Sequence, residues 1–242
     1  MRLSISFMVA CFALCAMGYL ERSIVGARKT MLSDDESLPY DVAIEYLEST
    51  GQQWIKTPIA YESGIIRIEG RVIATDNLTV TNPRRIYLGT GDFNSSDGIF
   101  LGFYSQQQYF DKIGAFGNLQ GSSASTTYDE GFILEYDSET SLLYRKRRNG
   151  NTSKFFEETK DIFAWNKGKT FNNIPITLFA ANEMGDNTSG YRMYWIRIFI
   201  DGELVLDCIP VKKDGIGYMF DRVLGMLLET LGIQSFICGP DL

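Results

Sequence analysis

The sequence predicts an all-β protein, a sandwich or barrel of short strands, behind an N-terminal export signal. Three observations lead there. From Ile44 onward the chain consists of short runs of alternating or apolar β-formers, punctuated by Gly, Asn, Asp and Ser. Aromatic residues make up 13% of the 242 residues, with 13 Tyr and 16 Phe, a composition suited to pleated, half-buried surfaces. No repeat at a fixed period appears, which argues against propellers and solenoids.

The first residues read as an address. Arg2 precedes an uncharged, mostly apolar run from Leu3 to Leu20, and Ala16-Met17-Gly18 offers small residues where a signal peptidase cuts. Residues 1–18 are therefore expected to be a signal peptide, and the protein to be secreted or displayed at the cell surface. The alternative is an uncleaved anchor, because eighteen uncharged residues reach the lower end of bilayer-spanning length; the membrane would then be met only through this segment. Residues 19–41, with Ser33-Asp34-Asp35-Glu36-Ser37 and then Pro39, show no sustained period and read as a linker to a single domain over 42–242.

The clearest strand is Ile65 to Ala74, with Ile66, Ile68, Gly70 and Val72 on one face and Arg67, Glu69 and Arg71 on the other. Further strands are expected at 44–47, 53–57, 85–89, 99–104, 108–115, 132–136, 142–148 and 174–181. Tyr191 to Ile200 and Glu203 to Val211 are separated by Asp201-Gly202, a dipeptide suited to a two-residue hairpin turn that requires positive φ at both positions. Tyr218 to Leu231 carries a weak helical period interrupted by Gly225. The basic run Arg145-Lys146-Arg147-Arg148 reads as a solvated strand end that also guards a sheet edge.

Composition also excludes chemistry. Histidine is absent, so Ser-His-Asp and Cys-His catalysis and His-ligated metal sites are ruled out. The net charge of −7 disfavours phosphate backbones, and nucleic acid is not an expected partner. Once a leader containing Cys11 and Cys15 is removed, only Cys208 and Cys238 remain. An exported compartment permits a bond between them, whereas their apolar surroundings read as two small buried hydrophobes.

Residues Ile44-Glu45-Tyr46-Leu47-Glu48-Ser49-Thr50-Gly51-Gln52-Gln53-Trp54-Ile55, the stretch Ile209 to Val223 and the closing Phe236-Ile237-Cys238-Gly239-Pro240-Asp241 resemble the start and end of LamG-like, concanavalin A-like jelly-roll domains of exported bacterial and phage-associated proteins. The resemblance spans Ile44 to Leu242 and implies a jelly-roll sandwich. That fold hosts lectins, adhesion domains and glycan hydrolases, so it decides no function. Two departures stand out: Lys56 replaces the group's usual Asp, and Thr230 to Gln234 replaces a Gly-rich turn.

Three candidate sites follow. Glu135-Tyr136-Asp137-Ser138-Glu139 matches the E-x-D-x-E pattern of retaining glucanases of the same superfamily, where three carboxylates on alternate strand positions share nucleophile and acid roles. Here Asp137 to Ser141 reads more naturally as a turn between strands, which leaves a glycoside hydrolase built on Glu135, Asp137 and Glu139 as the alternative function. Asp92, Asn94 and Asp97 have oxygen-ligand spacing for calcium, or form an ordinary polar loop. Tyr104, Tyr109 and Phe110 beside Gln106, Gln107 and Gln108, and separately Trp165, offer sugar-stacking surfaces, while Trp54 and Trp195 are assigned to the core. The leading expectation is a non-enzymatic recognition or adhesion module, with glycan or another surface protein as partner, and with no cofactor unless calcium is bound. A purely structural surface-protein domain is the third reading.

Overall fold

The computed structural model describes residues 38–75, 84–92, 98–104, 108–113, 117–120, 131–148, 155–161, 168, 170–171, 173–188 and 190–242. Among them there is no helix, and in chain order the strands are β1 (Val42–Ala43), β2 (Leu47–Thr50), β3 (Gln53–Ala60), β4 (Ile65–Ala74), β5 (Arg84–Gly89) and β6 (Ile99–Tyr104). They continue as β7 (Gln108–Ile113), β8 (Gly117–Gln120), β9 (Phe132–Asp137), β10 (Leu142–Arg148), β11 (Phe155–Asp161) and β12 (Pro175–Leu178). The last are β13 (Gly190–Ile200), β14 (Glu203–Lys213), β15 (Ile216–Asp221), β16 (Met226–Leu227), β17 (Thr230–Gly232) and β18 (Ile237–Cys238).

Two antiparallel sheets result, the architecture expected of a jelly-roll sandwich. The larger has eleven strands along the path β11-β10-β9-β4-β13-β14-β15-β16, with β1 on β14 and β2 between β13 and β18. The smaller has seven, in the order β17-β3-β12-β5-β6-β7-β8. Neighbours distant in sequence, such as β4 beside β13 and β3 beside β12, tie the consecutive hairpins into each sheet. Pro39 to Leu242 form one compact unit.

Alternation decides which residues fill the space between the sheets. In β4, Ile66, Ile68 and Val72 are buried while Arg67, Glu69 and Arg71 are only partly covered. They meet Leu134 and Tyr136 of β9, Ile196 and Ile198 of β13, and Leu206 and Cys208 of β14 from the same sheet. From the smaller sheet come Ile55, Leu88, Leu101, Ile176 and Leu178. Each fully buried side chain of this size is worth about 1.5–3 kcal/mol of apolar transfer.

The hairpin at Asp201-Gly202 has φ of 50° and 81° at its two central residues, and Ile200 pairs with Glu203 across it. Among the described residues Cys208, within the core, and Cys238, half-buried, are free thiols, and burial pushes both above their ordinary pKa.

Three expectations are corrected. The helical period from Tyr218 gives way to β15, a turn over 221–225 and the short β16. The long pairing of Cys208 to Lys213 with Ile216 to Asp221 outweighs a weak local period, and Gly225 takes φ of 70° in the turn. The basic run lies in β10, which pairs with β9 on one side and β11 on the other, so it guards no edge. The first expected strand, 44–47, starts later: Ile44 makes an isolated bridge to Asp241 and β2 begins at Leu47.

Candidate functional site on the exposed face of the larger sheet

The outward face of the larger sheet is organised in rows set by strand register. One row runs Tyr144, Glu135, Arg67, Phe199 across β10, β9, β4 and β13. The next runs Lys146, Ile133, Glu69, Arg197, Asp207 and reaches β14. Opposite charges adjacent across strands hold such rows in register. Accordingly the Arg67 guanidinium lies 2.5 Å from Glu69 and 3.7 Å from Glu135.

A bulge in β13 reshapes the next row. Met193 pairs with Val72 and Trp195 with Arg71, which leaves Tyr194 as the extra residue. Before the bulge Tyr191 and Met193 face the core, and after it Ile196 and Ile198 do. An inserted residue turns the following side chain to the opposite face, and here Tyr194 and Trp195 are consecutive half-buried residues on the exposed side. Trp195, assigned to the core from its strand position, therefore belongs instead to the surface. The cause is visible in the sequence as a phase slip: Arg192 and Arg197 are five apart, an odd spacing, yet both point outward.

Beside the bulge, Glu45, Tyr194, Trp195, Arg197, Pro210 and Arg222 line an open groove of about 290 Å³, near the lower limit of small-molecule sites. Its polar wall is fixed from beneath. Arg197 Nε donates to Asp207 Oδ1 at 3.2 Å, and Arg222 Nη2 lies 2.9 Å from Oδ1 and 2.7 Å from Oδ2. Asp207 is itself 8% exposed, and its backbone N–H donates to Oδ1 of the fully buried Asp221, which also accepts from Val223 N–H. One carboxylate thus orients two guanidiniums whose side chains remain about 42% exposed.

The aromatic wall is also braced. Arg192 lies over Tyr46 at 4.5 Å, the rings of Tyr46 and Tyr194 are 5.6 Å apart, and Arg71 lies over Tyr194 at 3.9 Å. Arg192 is further held by Glu48 at 2.6 Å, which raises the guanidinium's pKa. Burial raises the Tyr194 phenol, so it is a hydrogen-bonding neutral hydroxyl at neutral pH. The arrangement offers the remaining ring faces, with Arg71 covering one face of Tyr194 and Arg197 lying 5.5 Å over Trp195, beside oriented donors for hydroxyl or carboxylate oxygens.

The residues singled out from sequence lie elsewhere. Glu135 faces outward beside Arg67. Asp137 closes β9 and caps the turn over 138–141, its Oδ1 accepting from Glu139 N–H at 2.9 Å and its Oδ2 from Thr140 Oγ1. Those hydrogen bonds, the Thr140 hydroxyl foremost, hold its carboxyl below the ordinary range. Glu139 is exposed on that turn, so the three carboxylates do not share one strand face. Asp92 is exposed, while Asn94 and Asp97 lie outside the described residues, as do Trp165, Gln106 and Gln107. Tyr104 pairs with Gln108 and Tyr109 with Phe103 across β6 and β7, in the smaller sheet and away from the groove. Among the described residues no cluster of three or more Cys, Asp or Glu is arranged to hold a metal.

The two departures from the resembling group are structural here. Lys56 pairs with Glu183 at 2.5 Å, and Thr230 to Gly232 form β17 against β3. Trp54 is half-buried, its Nε1 donating to the Glu183 carbonyl.

No protein-family model and no curated protein matches this sequence. Solved structures with related folds include tailspike protein 2 of an Escherichia coli bacteriophage, 12% identical over 70% of this chain and 27% of the tailspike, with a TM-score of 0.43. Scytalido-glutamic peptidase is 9% identical over 73% of this chain and 91% of its own, with a TM-score of 0.36. The catalytic domain of a glycoside hydrolase family 131 protein from Coprinopsis cinerea is 11% identical over 66% of this chain and 64% of that one, at 0.33. The chain spans only about a quarter of the tailspike's length.

Proposed function

We propose that this protein is an exported, non-enzymatic recognition module that binds carbohydrate in the groove beside the β13 bulge. Residues 1–18 serve as its signal peptide, 19–41 as a linker, and the folded domain is presented outside the cell. The observation that carries the reading is the bulge itself. It sets Tyr194 and Trp195 side by side on an exposed sheet face next to two guanidiniums held by Asp207. Sugar rings present apolar C–H faces and a rim of hydroxyls, so a flat ring flanked by fixed donors matches both. Bulges concentrate where a sheet re-aims side chains for function. The two guanidiniums of the groove are paired with Asp207, and the reading requires no calcium there.

The test is a glycan array with the exported protein, its N-terminus read by mass, in calcium and in chelator. Binding of a defined glycan set that is equal in both conditions and falls at least about tenfold in Trp195→Ala is expected, since losing an aromatic anchor in a small site costs of order 2 kcal/mol. Uniformly blank arrays, or binding indifferent to Trp195, would rule the groove out. The hydrolase alternative predicts polysaccharide cleavage that disappears in Glu135→Gln.

A further inference from the structure

Among the described residues, Arg71 has no carboxylate partner on the exposed face. Its Nε is buried without a hydrogen-bond partner. Its neighbours are all accounted for: Arg67 faces Glu69 and Glu135, Arg192 faces Glu48, and Arg197 and Arg222 share Asp207. Arg71 instead rests on the ring of Tyr194, 3.9 Å from its centroid, and is in register with Trp195. A cation–π contact offsets only part of what the buried Nε loses on leaving water. Arg71 is thus held beside the groove with donors to spare.

We infer that the glycan bound in this groove is acidic, and that Arg71 receives the carboxylate of a uronic-type sugar whose ring stacks on Tyr194 or Trp195. The inference rests on the glycan-binding reading above and adds the ligand's charge and the residue that selects it. The planar fork of an arginine matches a carboxylate with two parallel N–H···O bonds, and such charge-assisted bonds gain strength where one side is already desolvated. The bound anion meets the Nη edge of the guanidinium, since Nε is closed to solvent.

The experiment titrates the full chain with acidic oligosaccharides, covering oligogalacturonate, oligoglucuronate, oligomannuronate and sialylated chains, each against its own methyl ester, with a sulfated galactan as a further arm. Acid and ester differ in charge and little else. Wild type is expected to bind at least one acid about tenfold more tightly than its ester, the equivalent of one charge-assisted hydrogen bond. Arg71→Gln should abolish that preference while ester binding survives, and Trp195→Ala should weaken both. If Arg71→Gln fails to fold, Arg71→Lys keeps the charge without the planar fork and should lose most of the preference. Equal binding of acid and ester, or a preference that survives Arg71→Gln, overturns the acidic-ligand inference while leaving glycan binding intact. A sulfated chain that outcompetes every carboxylate overturns the carboxylate assignment. Absence of binding to every ligand, together with a blank array, removes both readings.

Discussion

At the scale of single residues, function and stability draw on different groups. The groove depends on Trp195, Tyr194, Arg197 and Arg222, all partly exposed, whereas the core depends on side chains such as Tyr136 that water does not reach. Burial pushes the Tyr136 phenol from its ordinary value of 10 up to about 12 and raises Tyr61 as well. The native protein therefore keeps protons that the unfolded chain releases above pH 10. Stability from these phenols is intact below pH 10 and is lost as pH climbs through their raised values. Tyr136→Phe should accordingly flatten the decline between pH 10 and 12 in denaturant titrations. At neutral pH it should shift stability by no more than about 1 kcal/mol, because the Tyr136 hydroxyl makes no hydrogen bond. A decline unchanged by the substitution would mean that other groups govern the alkaline limit.

At the scale of elements, β13 shows what the sequence reveals and what it hides. Its hairpin with β14 is legible because Asp-Gly can occupy two positive-φ positions cheaply, and β4 is legible because its alternation is unbroken. The bulge is written in the same letters, as the slip from Tyr191 and Met193 to Ile196 and Ile198, but an assumption of uniform alternation sends Trp195 inward and conceals the groove. The signal for β15 and β16 is present but obscured by a faint helical period: Asp214-Gly215, with φ of 51° and 78°, makes a second two-residue turn between β14 and β15, and β16 folds back on β15. The bulge also makes a deletion informative. Removing Tyr194 leaves Met193 inward, Trp195 outward and Ile196 inward in one continuous alternation, so both hydrophobic sets keep their faces. The deletion variant should fold cooperatively, within about 2 kcal/mol of wild type by the usual range for single changes, yet lose glycan binding with the ring that Arg71 covers. Deletion of Ile196 also closes the bulge, but only by turning Trp195 into the core position that Ile196 leaves, so it should destabilise the fold by clearly more. Similar stabilities for the two deletions would show that this core position does not discriminate against Trp195.

At the scale of the whole molecule, two sheets provide a rigid platform, and the larger exposes rows of alternating charge and aromatic rings on its outer face. Fold class was readable from composition and punctuation because β-sandwiches are specified by many short, weakly individual strands that agree with one another. The site was not, because it arises where β1, β13, β14 and the turn after β15 converge, and no single segment carries it. The carboxylates of the 135–139 segment illustrate the converse: a string that matches a catalytic pattern is divided by the fold between an ion-paired strand position and a capped turn. The most direct measurement is a crystal structure of the protein with a glycan identified on the array. The account predicts a sugar ring stacked on Tyr194 or Trp195, with oxygens bonded to Arg197 or Arg222. A glycan seated instead on the β6 to β7 hairpin around Tyr104 and Tyr109, with the bulge groove filled by water, would contradict it.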